Sequence, residues 1–111
     1  MNQYKKQIPP FYAQVYQLVS RIPKGKVTTY KKIALSLNTK AYQLVGQALK
    51  NNPYAPQVPC HRVIATNGTI GGFNGKKKGK EISRKISLLK KEGLQFNGNK
   101  VLNFENKLFS F

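Results

Sequence analysis

Apolar residues recur along the first half of the chain at helical spacing. Phe11, Val15, Leu18, Val19 and Ile22 follow Pro9-Pro10 at intervals of three and four, which predicts an amphipathic helix stopping at Pro23-Lys24-Gly25. Tyr30, Ile33, Ala34 and Leu37 predict a second helix capped by Thr28 or Thr29. Ala41, Leu44, Val45, Ala48 and Leu49 predict a third behind Thr39. The tight polar turn at Asn38-Thr39 makes this pair either a helix-turn-helix or an ordinary helical hairpin of a small bundle. The period then changes. Val63-Ile64-Ala65 and Thr69-Ile70 flank Asn67-Gly68, the signature of a two-residue type I′ hairpin. Ile82, Ile86 and Leu89 restore helical spacing in a fourth helix that Gly93 stops. Phe96-Asn97-Gly98-Asn99 predicts a second hairpin turn, and Phe104, Phe109 and Phe111 are expected to pack back onto the domain. The fold class is mainly α: a compact helical domain with a helix-turn-helix, winged-helix-like, and short β-hairpin elements.

Length and charge narrow the partners. The 111 residues show no repeat or linker and are expected to form one domain over 1–111, large enough for a core without disulfides or metals. Twenty Lys and Arg face three acidic residues, Glu81, Glu92 and Glu105, for a net charge of +17 and a pI near 10.3. A chain that repels itself this strongly is most easily understood beside a polyanion, nucleic acid ahead of anionic membrane, with a lysine-rich solvated surface as the alternative. One cysteine forms no internal disulfide, which fits a reducing compartment. One Cys with one His falls short of a structural zinc site, so neither metal nor cofactor is expected. No apolar run reaches membrane-spanning length, and Met1-Asn2-Gln3-Tyr4-Lys5-Lys6 is not followed by a signal-peptide core. The expectation is therefore a soluble, intracellular monomer, in cytoplasm and nucleoid or in a nucleus.

The chemistry centres on Pro59-Cys60-His61-Arg62-Val63-Ile64, which holds the only cysteine and the only histidine. Pro53, Pro56 and Pro59 disfavour helix and place Cys60 at a rigid loop mouth. A thiol at neutral pH is mostly protonated, so a nucleophilic Cys60 needs a base or a positive field. His61 points away from Cys60 if the pair is extended, and a water is then needed to bridge them. Gly71, Gly72 and Gly75 mark either close approach of a ligand or a flexible connector. Lys76-Lys77-Lys78-Gly79-Lys80 adds a dense positive run. Glu92 stands near a helix C-terminus, where an acid opposes the dipole, which favours a specific role over an incidental one.

These residues, with Ile22-Pro23-Lys24-Gly25-Lys26-Val27-Thr28-Thr29-Tyr30, Val45-Gly46, Asn51-Asn52-Pro53, Gly71-Gly72-Phe73 and Leu88-Leu89-Lys90-Lys91-Glu92-Gly93, resemble the DNA-binding catalytic domain of the methylated-DNA–protein cysteine methyltransferases. The likeness runs from about Phe11 to Gly93 and leaves 94–111 as a C-terminal extension. It implies a DNA repair protein that acts once, irreversibly, on double-stranded DNA containing O6-alkylguanine. Cys60 takes the alkyl group from a flipped-out base, His61 acts as base through a water, and Glu92 orients the imidazole. It further implies that Tyr30 presses on the target phosphate, that Asn52 is a hinge, and that Arg62 braces the active-site loop. The helix over 40–51 would enter the minor groove. The chain departs from the family pattern at Gln43, where an arginine fills the gap left by the flipped base, and at Phe73, where a tyrosine hydroxyl helps protonate the leaving O6. Asn74 takes the next pocket position. The resemblance also admits an alkyltransferase-like protein that binds lesions without transfer. Those proteins characteristically carry tryptophan where this chain has Cys60.

Overall fold

The computed structural model describes residues 8–72 and 79–111. Helix α1 spans Pro10–Val19, with Pro9 as its N-cap and Pro10 at the first helical position. There a missing N–H costs nothing and a fixed φ suits the helix. The helix ends at Val19 rather than Ile22. Turn hydrogen bonds from the Arg21 and Ile22 N–H groups to the carbonyls of Leu18 and Val19 carry the chain round, so that Ile22 still enters the core.

Strand β1, Thr28–Thr29, runs directly into α2, Tyr30–Ser36. Thr29 is the cap: its hydroxyl accepts the Lys32 N–H at 3.1 Å. Thr28 is buried in the strand and donates to the Phe109 carbonyl at 3.3 Å. Helix α2 closes in a Schellman motif. Asn38 takes a left-handed φ of 57°, and the Thr39 and Asn38 N–H groups return to the Ala34 and Leu35 carbonyls, both at 3.0 Å. Helix α3, Tyr42–Lys50, follows as the second half of a helix-turn-helix. Thr39 does not cap it. Its hydroxyl accepts the Ala41 N–H at 3.0 Å, a local turn formed just before the helix begins. The buried stripe of α3 is Val45, Ala48 and Leu49. Leu44 was expected among them but is 44% exposed, because it sits about 100° round the helix from Val45, on the side away from Leu49. The three helices pack together around Val15, Val19, Ile33, Ala34, Val45 and Val63.

The predicted type I′ hairpin does not form. Strand β2, Val63–Ile64, pairs in parallel with β1, Thr28 opposite Val63 and Thr29 opposite Ile64. A turn does close between Ala65 and Thr69, but only Gly68 has positive φ, 88°, whereas type I′ requires it at Asn67 as well. Asn67 instead turns its side-chain oxygen onto the Thr69 N–H and hydroxyl at 3.1 and 2.7 Å. The result is a longer loop ending at Gly68, and Thr69 bridges Lys100.

Helix α4, Lys80–Lys91, ends in a second Schellman motif. Gly93 has φ 98°, the Leu94 N–H reaches the Leu89 carbonyl at 3.1 Å, and the buried pair Leu89 and Leu94 supplies the accompanying apolar contact. This geometry leaves Glu92 as the C-cap residue. An antiparallel hairpin, β3 Phe96–Asn97 with β4 Lys100–Val101, and a short α5, Phe104–Lys107, complete the chain. The final segment is stitched to β1: the Val27 N–H donates to Lys107 at 2.9 Å and the Phe109 N–H to Val27 at 2.7 Å. Val101 joins Val27, Ile64, Ile70, Leu89 and Leu94 in a second apolar cluster. Phe104 and Phe109 pack back as expected, while Phe111 remains 37% exposed, edge-on to Phe109 at 5.3 Å. Among the described residues no helix is long and apolar enough to cross a membrane.

Candidate active site

Between α3 and β2 the prolines exclude regular structure, and Asn52 organises what remains. Its side-chain amide donates to the Val58 carbonyl at 2.8 Å, and its oxygen accepts the Tyr54 N–H at 2.9 Å. One side chain thus ties both ends of the loop. Cys60, expected at a rigid loop mouth outside regular structure, begins a single 3₁₀ turn, Cys60–Arg62, and is 8% exposed. Pro59 contributes the acceptor that closes this turn, its carbonyl taking the Arg62 N–H at 2.9 Å. Successive side chains of such a turn fan out by about 120°. Cys60 stays with the helical core while His61 and Arg62 reach the end of α4.

There Glu92 receives both. Its Oε2 lies 2.8 Å from His61 Nε2 and accepts from an Arg62 Nη at 2.8 Å, while Oε1 accepts Arg62 Nε at 2.9 Å. The second Nη of Arg62 donates to the Ile22 carbonyl at 2.7 Å, so the guanidinium also binds the end of the α1 segment. A bidentate guanidinium with an added imidazole is a strong, directional arrangement. Burial by itself would raise the Glu92 carboxyl. The hydrogen bonds and charges of Arg62 and His61 outweigh burial and hold it below the ordinary carboxylate range. With an ionised acceptor at Nε2, neutral His61 carries its proton there and keeps its lone pair on Nδ1, the tautomer a general base needs.

The remaining sequence-derived residues fall in three groups. Tyr30, first in α2, is half-buried. Its hydroxyl donates to the Gly72 carbonyl at 3.5 Å, and its ring lies where a Cβ on Gly71 would come within 3.4 Å of it. Burial, and then the proximity of Cys60, pushes its phenol up to about 12. Gln43 stands apart from this cluster, exposed on the outer face of α3 with Gln47 and Lys50. Phe73, Asn74, Gly75 and the lysines at 76–78 lie outside the described residues.

Sequence reasoning missed Lys85. It is fully buried on α4, and its ammonium donates to the carbonyls of Val63, Ile70 and Gly72 at 2.7, 2.7 and 2.8 Å. The signal was present, because position 85 lies inside the apolar stripe 82, 86, 89, and a cation there has to find acceptors. Among the described residues no three His, Cys, Asp or Glu side chains converge as metal ligands would.

Over residues 10–94 the chain matches the family described as 6-O-methylguanine DNA methyltransferase, DNA binding domain. A methylated-DNA–protein-cysteine methyltransferase of Saccharolobus islandicus is 49% identical over 86 residues, covering 78% of this chain and 52% of that protein. The chain therefore spans about half the length of the curated relatives it matches. Among solved structures, S. pombe Atl1 in complex with damaged DNA containing O6-carboxymethylguanine superposes with a TM-score of 0.76 at 31% identity. That match covers 95% of this chain and 99% of that one. The Mycobacterium tuberculosis OGT in complex with DNA gives 0.69 at 36% identity, over 78% and 51%.

Proposed function

We propose, from the premise that this chain belongs to the 6-O-methylguanine DNA methyltransferase family, that it is a single catalytic and DNA-binding unit. It repairs duplex DNA by moving an alkyl group from O6 of guanine to Cys60. One observation carries the reading: the Cys60 turn delivers His61 to a carboxylate, Glu92, that Arg62 holds ionised. The proton of the Cys60 thiol passes through a water to His61. The thiolate attacks the alkyl carbon in line, an S–C bond forms as the C–O6 bond breaks, and the departing guanine recovers a proton from the imidazolium. Attack from behind the C–O6 bond requires the base out of the stack. Tyr30 would receive the target phosphate, Gln43 would stand at the vacated stack, and Arg62 and Asn52 hold the loop that presents Cys60. Phe73 and Asn74 would line the base pocket. A thioether does not revert, so each molecule reacts once.

Incubation with an O6-methylguanine duplex should add one methyl group per chain, on the Cys60 peptide alone, by mass spectrometry. Cys60→Ala should bind the duplex and gain none. An adduct elsewhere, or repeated turnover, overturns the mechanism.

A second reading has its own support. The likeness to Atl1 covers 95% of this chain, whereas the likeness to the Mycobacterium tuberculosis OGT covers 78%. Tight binding to the lesion duplex with unchanged protein mass would favour it.

A further inference from the structure

A lysine with no exposed surface is costly unless its three N–H groups all find acceptors. Among the described residues Lys85 finds three, and they come from two separated stretches. Val63 is the first residue of β2, immediately after the Cys60 turn, while Ile70 and Gly72 belong to the segment that leaves the Gly68 loop. Gly72 has a second donor, the hydroxyl of Tyr30, and Gly71 keeps its φ of 69° directly beside the Tyr30 ring. A side chain on α4 thus joins the strand following the nucleophile to the segment that supports Tyr30.

We infer that Lys85 is a positioning residue whose ammonium pins the Ile70–Gly72 segment, and through it the Tyr30 ring, to the strand that follows the Cys60 turn. Its consequence for DNA rests on the alkyl-transfer reading above. The latch itself belongs to the free protein.

The latch depends on a proton. An ammonium fills all three acceptors. A neutral amine retains two N–H groups and turns a lone pair toward the third carbonyl, so one contact opens. Gly72 is the one to open, since its contact is only partly buried and the Tyr30 hydroxyl stands ready to replace it, whereas those to Val63 and Ile70 are buried. Burial lowers Lys85 to about 7, against the opposing pull of Cys60 in its thiolate form. Among the described residues the Tyr30 phenol, neutral in this range, shares the Gly72 carbonyl with Lys85, and Glu81 stands one turn earlier on α4.

Carbon and nitrogen NMR on the free protein tests the latch directly. Between about pH 6 and pH 9 the Lys85 side-chain signals should titrate with a midpoint near 7. The Gly72 carbonyl-carbon shift should follow with the same midpoint, and those of Val63 and Ile70 should move much less. A Gly72 shift that stays flat while Lys85 titrates overturns the latch, and so does an equal movement of all three carbonyls. Single-turnover transfer from an O6-methylguanine duplex tests the positioning. The half-saturating protein concentration should rise about fivefold as wild-type Lys85 loses its proton, the worth of one hydrogen bond. It should be raised and independent of pH in Lys85→Met. Equal half-saturation in Lys85→Met and wild type removes the positioning role. If Lys85→Met does not fold, the wild-type titrations decide alone. If no protein transfers the alkyl group, the proposed function fails while the NMR result still judges the latch.

Discussion

At Glu92 one carboxylate serves an arginine through both oxygens and a histidine through one. The two partners have different purposes: Arg62 keeps the acid ionised and anchors it to the Ile22 carbonyl, and the ionised acid fixes the His61 tautomer. Because the folded carboxyl lies below its unfolded value, the unfolded chain binds more protons in the acid range. Its stabilisation is complete above the unfolded value of about 4.3 and is lost as pH falls through the folded value. Glu92→Gln should cost about 2 kcal/mol near neutrality, through weakened hydrogen bonds to a cation. The deficit should shrink as urea denaturation is repeated at pH values below about 4. A deficit that stays constant with pH would mean that the carboxylate charge contributes nothing. The residues of this network were legible unequally. Cys60 and His61 stand out as single occurrences, but Glu92 lies 31 positions from His61, and only family resemblance joined it to the pair. Lys85 was overlooked for the opposite reason: a lysine next to Arg84 on a basic helix reads as solvated, although its register on α4 placed it in the core.

At the scale of elements, the faces of α1, α3 and α4 followed from apolar spacing, with Leu44 the exception on α3, because helix burial depends on local register. The strands did not. Asn67-Gly68 is a local signal, but the partner of Val63–Ile64 is Thr28–Thr29, far upstream and contiguous with a helix cap, so the pairing is set by packing rather than by turn chemistry. The outer face of α3 offers a test of its assignment to DNA. Gly46 lies there with exposed Gln43, Gln47 and Lys50, and a Cβ added to it meets no atom within 4 Å. Gly46→Ala should therefore stabilise the free protein by about 0.5–1 kcal/mol, the ordinary gain in a helix interior, seen as a higher melting temperature. The same methyl group should weaken duplex binding measured by fluorescence anisotropy, if this face lies against the floor of a groove. Greater stability with unchanged affinity would move the DNA to another surface.

Across the whole molecule the charge sets the terms of association. Of the three acids, Glu92 is committed to Arg62 and His61, while Lys24, Lys31, Lys40, Lys50, Lys90, Lys91 and Lys100 are exposed. Each phosphate that such a cation neutralises releases counterions, and the logarithm of affinity falls with the logarithm of salt by about 0.9 per contact. Six to ten contacts would cost about 10³–10⁵ in affinity between about 50 and 200 mM salt. Sequence should matter little at fixed salt, because the outward face of α3 presents two amides and a lysine rather than a set of base-reading arginines, and phosphate contacts carry no sequence information. Lys50→Ala, at the C-terminal end of α3, removes one exposed cation without touching the core. It should lower the salt slope by about one and leave the affinity ratio between lesion-bearing and plain duplexes unchanged. Titrations over a range of salt with the lesion duplex, its unmodified counterpart and a scrambled duplex provide all three quantities. A nearly flat salt dependence, or a scrambled duplex that binds far more weakly at constant salt, would mean that the lysine excess only solvates the surface and that recognition comes from base contacts.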